Sequence, residues 1–107
     1  MAEGTLIVFS TFGNADEARG AARTLVEERL AACGNLLPAV ESIYRWKGAV
    51  ETATETLVIF KIRAEDYGDF EARLKQLHSY ETPEIVALRV EAGSPDYLRW
   101  VDECCSR

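Results

Sequence analysis

The segment from Asn35 to Ile62 constrains this chain more than any other. It holds two extended arms, Asn35–Trp46 and Val50–Ile62, joined by the turn-forming pair Lys47-Gly48. Each arm has about twelve residues and reaches roughly 40 Å. The helix that precedes it, from Asn14 to about Ala32 or Cys33, reaches only about 27 Å. The tip of the hairpin, with Tyr44, Trp46 and Val50, therefore projects beyond anything the chain's own helices can cover. A lone arm of that kind exposes apolar surface and unpaired strand edges. Contact with further copies of the chain removes both problems, so self-association is expected.

The flanking segments supply the rest of an α+β domain. Leu6 to Thr11 carries bulky side chains on both alternating faces, as a strand buried on two sides would. Asn14 followed by Glu17 predicts a helix start with a reciprocal capping box, and Gly34 offers a left-handed stop for the same helix. Pro38 lacks an amide donor, which places the second strand at a sheet edge or at a bulge. Tyr67, Phe70, Leu74 and Leu77 form the stripe of a second helix, and Ile85 to Val90 reads as a fourth strand. Ser94-Pro95 opens a short last helix with Tyr97, Leu98 and Val101 as its buried side. The order is strand, helix, strand, strand, helix, strand, helix. Two interleaved β-α-β units of this kind form a ferredoxin-like sandwich with both helices on one face of the sheet.

Composition narrows the function classes. A formal charge of −6 with no basic run disfavours a phosphate backbone, so no nucleic-acid partner is expected. No apolar stretch is long enough for membrane insertion, and Met1 to Thr5 lacks the basic start of a secretory signal. The three cysteines, Cys33, Cys104 and Cys105, do not form a disulfide framework. A cytoplasmic chain with reduced thiols is the expectation.

Polar chemistry concentrates in His78-Ser79-Tyr80-Glu81-Thr82-Pro83-Glu84. Imidazole nitrogen and carboxylate oxygen both suit borderline metals, so His78, Glu81 and Glu84 are candidate ligands. The competing reading has His78 capping the end of the second helix and the glutamates solvated. Cys33, set at a helix C-terminus, reads as a small buried hydrophobe rather than a nucleophile. Glu51 and Glu55 lie four apart on a strand and share a face. With Tyr44, Trp46 and Lys61 they could line a pocket between subunits, although a solvated hairpin face and an intersubunit aromatic anchor explain the same residues. No phosphate-binding loop, dinucleotide fingerprint or nucleophile elbow is present.

Longer motifs carry a resemblance. Leu30-Ala31-Ala32-Cys33-Gly34-Asn35-Leu36-Leu37-Pro38, Ser42-Ile43-Tyr44-Arg45-Trp46-Lys47-Gly48, Tyr80-Glu81-Thr82-Pro83-Glu84-Ile85 and Tyr97-Leu98-Arg99-Trp100 together resemble the CutA divalent-cation tolerance family across nearly the whole chain. The resemblance implies a ferredoxin-like fold, a homotrimer held by the long hairpins in the manner of PII signalling proteins, and binding of copper or another divalent cation without catalysis. It also implies a metal site built from a first-strand cysteine and a histidine near His78. The first-strand position here is Ser10, a much poorer soft-metal ligand. Two other functions remain compatible with the same residues: a PII-like module that binds a small molecule or a protein, and an enzyme with its site between subunits.

Overall fold

Asn14 begins the first helix as expected: its side chain accepts a hydrogen bond from the Glu17 amide at 2.8 Å. The computed structural model describes residues 3–107. Met1 and Ala2, which open the segment read above as lacking a secretory signal, lie outside them. The elements are β1 (Thr5–Phe12), α1 (Ala15–Glu27), β2 (Cys33–Trp46), β3 (Ala49–Arg63), α2 (Tyr67–Leu77), β4 (Val86–Arg89) and α3 (Pro95–Cys105), with a single 3-10 turn at Ala64–Asp66 before α2. The sheet order is β2-β3-β1-β4 and every neighbouring pair is antiparallel, the ferredoxin-like arrangement.

Alternation decides which side of the sheet is covered. Val8 and Phe12 of β1 and Val58, Phe60 and Ile62 of β3 are buried against Ala18, Ala22 and Leu25 of α1 and Phe70 and Leu74 of α2. On the opposite face Phe9, Leu57 and Ile59 are half-buried, while Val86 and Leu88 of β4, paired with Phe9 and Ile7, are 51% and 60% exposed. Helix α3 lies at the end of the sheet away from the hairpin tip, where Val101 and Cys105 pack on Ala32. Asp66, itself buried, accepts from Arg63 at 2.9 Å and from Arg107 at 2.9 Å and clasps the C-terminus to this end.

The first helix ends earlier than its apolar stripe predicts. It stops at Glu27, and Arg29 rather than Gly34 takes the left-handed conformation, at φ 63°. Leu30 and Ala31 turn back and donate to the Leu25 carbonyl at 3.0 and 3.2 Å, so both still reach the core although neither is helical. The reason is tertiary. The Ala32 amide is claimed by the Lys61 carbonyl at 2.8 Å, which pulls the chain into the sheet before another helical turn can form. Cys33 therefore opens β2 instead of ending a helix, and Gly34 lies within the strand. Gly34 serves close approach: a Cβ there would stand 3.3 Å from Ala22 Cβ and 3.3 Å from the Phe60 ring.

The hairpin arms have 14 and 15 residues, longer than expected, against 13 in α1. The molecule measures 44 × 26 × 24 Å, and its long axis is set by this arm. Lys47 and Gly48 both have positive φ, the two-residue turn whose twist matches antiparallel strands. Pro38 falls on the edge strand, at a bulge. Leu37 faces Leu57, then Val40 faces Glu55, so two residues of β2 oppose one of β3, and Ala39 adopts φ 62°.

Gly34→Ala tests the close-approach role. Its added methyl must push apart α1 and β3, so stability falls by about 1 kcal/mol in urea unfolding at fixed protein concentration. A stability gain of similar size would mean that the helix-to-sheet spacing is loose.

Candidate functional site: an acidic, aromatic-walled cleft

The bulge at Pro38 sets up the site. In β2 before it, Leu37 shares the open face of the sheet with Leu57; beyond it, the even-numbered side chains take over that face. Tyr44 is thus directly opposite Glu51, and Val40 opposite Glu55. The segment between α2 and β4 folds over the same face near the end of β1. Between arm and segment lies a cleft of about 660 Å³. Its walls include Tyr44 and Trp46 from β2, Glu51 and Glu55 from β3, and Tyr80, Glu81 and Glu84 from the connecting segment.

His78 anchors that segment. Its side chain is fully buried and stacked on Phe12, with ring centroids 4.3 Å apart. Nδ1 accepts from the Tyr80 amide at 3.1 Å, which assigns the proton to Nε2, and Nε2 donates to the Thr11 carbonyl at 2.8 Å. Both ring nitrogens are therefore in use. The imidazole neither caps the last carbonyls of α2 nor lines the cleft. Glu17 does not complete the predicted capping box. Its carboxylate is diverted to Ser79, accepting from the amide at 2.7 Å and from the hydroxyl at 3.0 Å.

Tyr80 carries the anchor into the cleft. Its hydroxyl donates to Glu55 Oε2 at 2.7 Å, and burial followed by this hydrogen bond pushes its phenol well above the ordinary tyrosine range. Glu55 is only 8% exposed. The solvated hairpin face weighed for it in the sequence holds for Glu51 but not for Glu55.

The remaining sequence candidates separate. Glu81 and Glu84 reach the cleft with Glu51 and Glu55. Lys61 does not: its Nζ donates to Asn35 Oδ1, and its backbone pairs with Cys33 at the opposite end of the arm. Cys33 Sγ meets the Tyr97 hydroxyl at 3.8 Å. Partial desolvation, and then that contact, raise the Tyr97 phenol although the residue is exposed, and burial raises the Cys105 thiol. Among the described residues no group of three or more His, Cys, Asp or Glu side chains converges as metal ligands. Sequence reasoning missed the engagement of Tyr80 with Glu55; the only signal available was the shared face of Glu51 and Glu55.

A family model described as CutA1 divalent ion tolerance protein matches residues 6–104. The chain belongs to the CutA1 family. It is 43% identical to the divalent-cation tolerance protein CutA of Thermus thermophilus over 91% of this chain and 94% of that protein. It is also 42% identical to the mouse protein CutA over 89% of this chain, but spans only 54% of that longer relative. A crystal structure of CutA from Xylella fastidiosa superimposes with a TM-score of 0.94 at 38% identity, covering 96% of this chain and 99% of that one.

For a CutA1 chain, the first-strand position and the histidine can now be tested against a soft-metal site. Ser10 points into the core, completely buried, and its hydroxyl has no hydrogen-bond partner among the described residues. His78 has no free nitrogen. A closed copper site of thiolate and imidazole does not fit these residues.

Two measurements check this anchoring. Ser10→Ala removes an unpaired buried hydroxyl, so stability holds or rises by about 1 kcal/mol; a clear loss in chemical denaturation would reveal a partner for Ser10. Tyr80 has a folded-state pKa raised above its ordinary 10.0. Its contribution is complete below that value and is lost as pH rises past it. The drop in melting temperature between about pH 9 and about pH 11 is accordingly smaller in Tyr80→Phe than in the parent. Equal drops would place Tyr80 outside the anchor.

Proposed function

We propose that this CutA1 chain works as a cytoplasmic homotrimer that binds divalent cations at the carboxylates of the cleft and catalyses no reaction. The observation that carries the reading is the set of four glutamates on one aromatic-walled cleft, in a chain whose relatives are named for divalent-cation tolerance. Because no three ligands converge among the described residues, the arrangement favours a hydrated ion held by one or two carboxylates through oxygen, with water completing its shell. Glu81 and Glu84 supply the accessible pair, while Glu51 and Glu55 add negative potential from the arm. His78 serves as the anchor of the loop rather than as a ligand.

Support for the assembly comes from the sheet. Val86 and Leu88 continue the apolar side chains of Phe9, Leu57 and Ile59 across a face without its own layer, and Ile43 and Val50 stand 69% and 65% exposed on the arm. Sister chains that cover this surface remove apolar area from water at about 25 cal/mol per Å². Absence of turnover is favoured by the residues around the nucleophile candidates: Cys33 has Tyr97, not a base, as its neighbour, and the only histidine is locked. The cytoplasmic assignment rests on three unpaired cysteines; relatives named chloroplastic and periplasmic make cell fractionation the direct check.

Isothermal titration with copper and with magnesium separates the ligand sets. Glu81→Gln combined with Glu84→Gln weakens divalent-ion binding several-fold, and His78→Ala, measured on folded protein, leaves it unchanged. Loss of binding in His78→Ala alone would restore the histidine to the site. Light scattering gives three times the chain mass of 11.9 kDa at micromolar protein; a folded species at one chain mass would overturn the assembly.

A further inference from the structure

Several features of the cleft exceed what a metal ion requires. Its volume of about 660 Å³ is that of an organic-ligand pocket. The carboxylates are spread along it instead of gathered at one point. Glu51 and Glu55, four residues apart on one face of β3, are separated by about 13 Å along the strand. Glu81 and Glu84 face them from the connecting segment. Tyr44, Trp46 and Tyr80 place three aromatic rings among these charges.

Two details point to a ligand that carries ammonium groups. Glu55 is nine-tenths buried, yet only Oε2 has a donor, the neutral Tyr80 hydroxyl. Its other carboxylate oxygen has no hydrogen-bond partner among the described residues and keeps contact with solvent, on a residue that lines the cleft. One carboxylate oxygen of an otherwise buried side chain is therefore left open as an acceptor for a charged donor. The second detail is at Trp46. The Lys47 ammonium stands 5.6 Å from the centre of its ring, so the indole already attracts a primary ammonium in the free chain.

We propose that the cleft binds an elongated aliphatic polyamine, its ammonium groups pairing with the separated carboxylates of Glu55 and Glu81 while its methylene chain lies against Tyr44 and Trp46. A point cation satisfies one carboxylate pair at a time, whereas a chain of ammonium groups separated by methylenes reaches both walls at once. The aromatic rings contribute to organic cations through their faces and to the methylenes through contact, and they offer nothing comparable to a hydrated metal ion. This inference rests on reading the cleft as the cation site, but not on metal binding or on the trimer.

Spermidine, butylamine and magnesium chloride at matched ionic strength are the probes, followed by titration calorimetry and by Trp fluorescence. Spermidine binds at least roughly tenfold more tightly than butylamine, because two walls are engaged rather than one. Trp46→Ala and Glu55→Gln each weaken spermidine by roughly tenfold and leave magnesium unchanged in Trp46→Ala. Circular dichroism and light scattering confirm that each variant keeps its fold and assembly. Glu81→Gln, on the connecting segment, repeats the test without altering the arm. Equal affinities for spermidine and butylamine, or spermidine affinity unaffected in Trp46→Ala and Glu81→Gln, would overturn the inference. Magnesium binding without spermidine binding sinks this inference alone; the reverse result sinks the divalent-ion reading and leaves the polyamine site standing.

Discussion

The one-residue bulge at Pro38-Ala39 governs everything on the outer half of the hairpin. Side chains on a strand alternate with a period of two, so a single inserted residue exchanges the two faces of all that follows. Leu37 and Leu57 share one face before the bulge, and Tyr44 joins Glu51 on that same face beyond it. With an uninterrupted register, Tyr44 and Trp46 would occupy the side of the sheet that carries the helices. Glu55 and Glu51 of β3 would then face Ala39 and Ile43 instead of Val40 and Tyr44. The bulge costs an alanine held in the left-handed region, at φ 62°, and that cost is tolerated because β2 is an edge strand with one ladder only.

The opposite wall depends on a different device, a buried histidine with every polar atom engaged. Phe12 supplies the stacking surface, Thr11 an acceptor, the Tyr80 amide a donor, and Glu17 holds the adjacent Ser79. These contacts fix a segment that has no regular structure of its own and aim Tyr80 at Glu55. The arm and the connecting segment are thereby tied together at one hydrogen bond of 2.7 Å. The residue that looked most like a metal ligand is thus a structural centre, and the negative charge of the site stands on either side of it.

The order of elements and the sheet's one-sided cover were legible because alternation, helical stripes and breaker residues are local signals. Asn14, Pro38, Lys47-Gly48 and Pro95 all fall where local rules place them. Two of the misreadings share a cause. Helix α1 ends at Glu27 despite a stripe that continues to Leu30, because the Lys61 carbonyl captures Ala32. Glu17 leaves its capping box because Ser79, 62 positions away in sequence, offers two donors. Ser94 begins α3 without a side-chain cap, and Tyr97 remains exposed on it. For α1 and for Glu17 a partner distant in the chain outcompetes a neighbouring one.

By itself the amino-acid sequence determined the α+β architecture, the overlong hairpin and the presence of Tyr44, Trp46, Glu51 and Glu55 on that arm, since these follow from periodicity, length and turn chemistry. Tertiary structure alone decided which of the acidic residues meet, that His78 turns inward, and that Lys61 lies away from the cleft. Hydrogen bonds among His78, Thr11, Tyr80 and Glu55 join three separate segments. No local pattern encodes such pairings, because their geometry exists only once the sheet has been assembled.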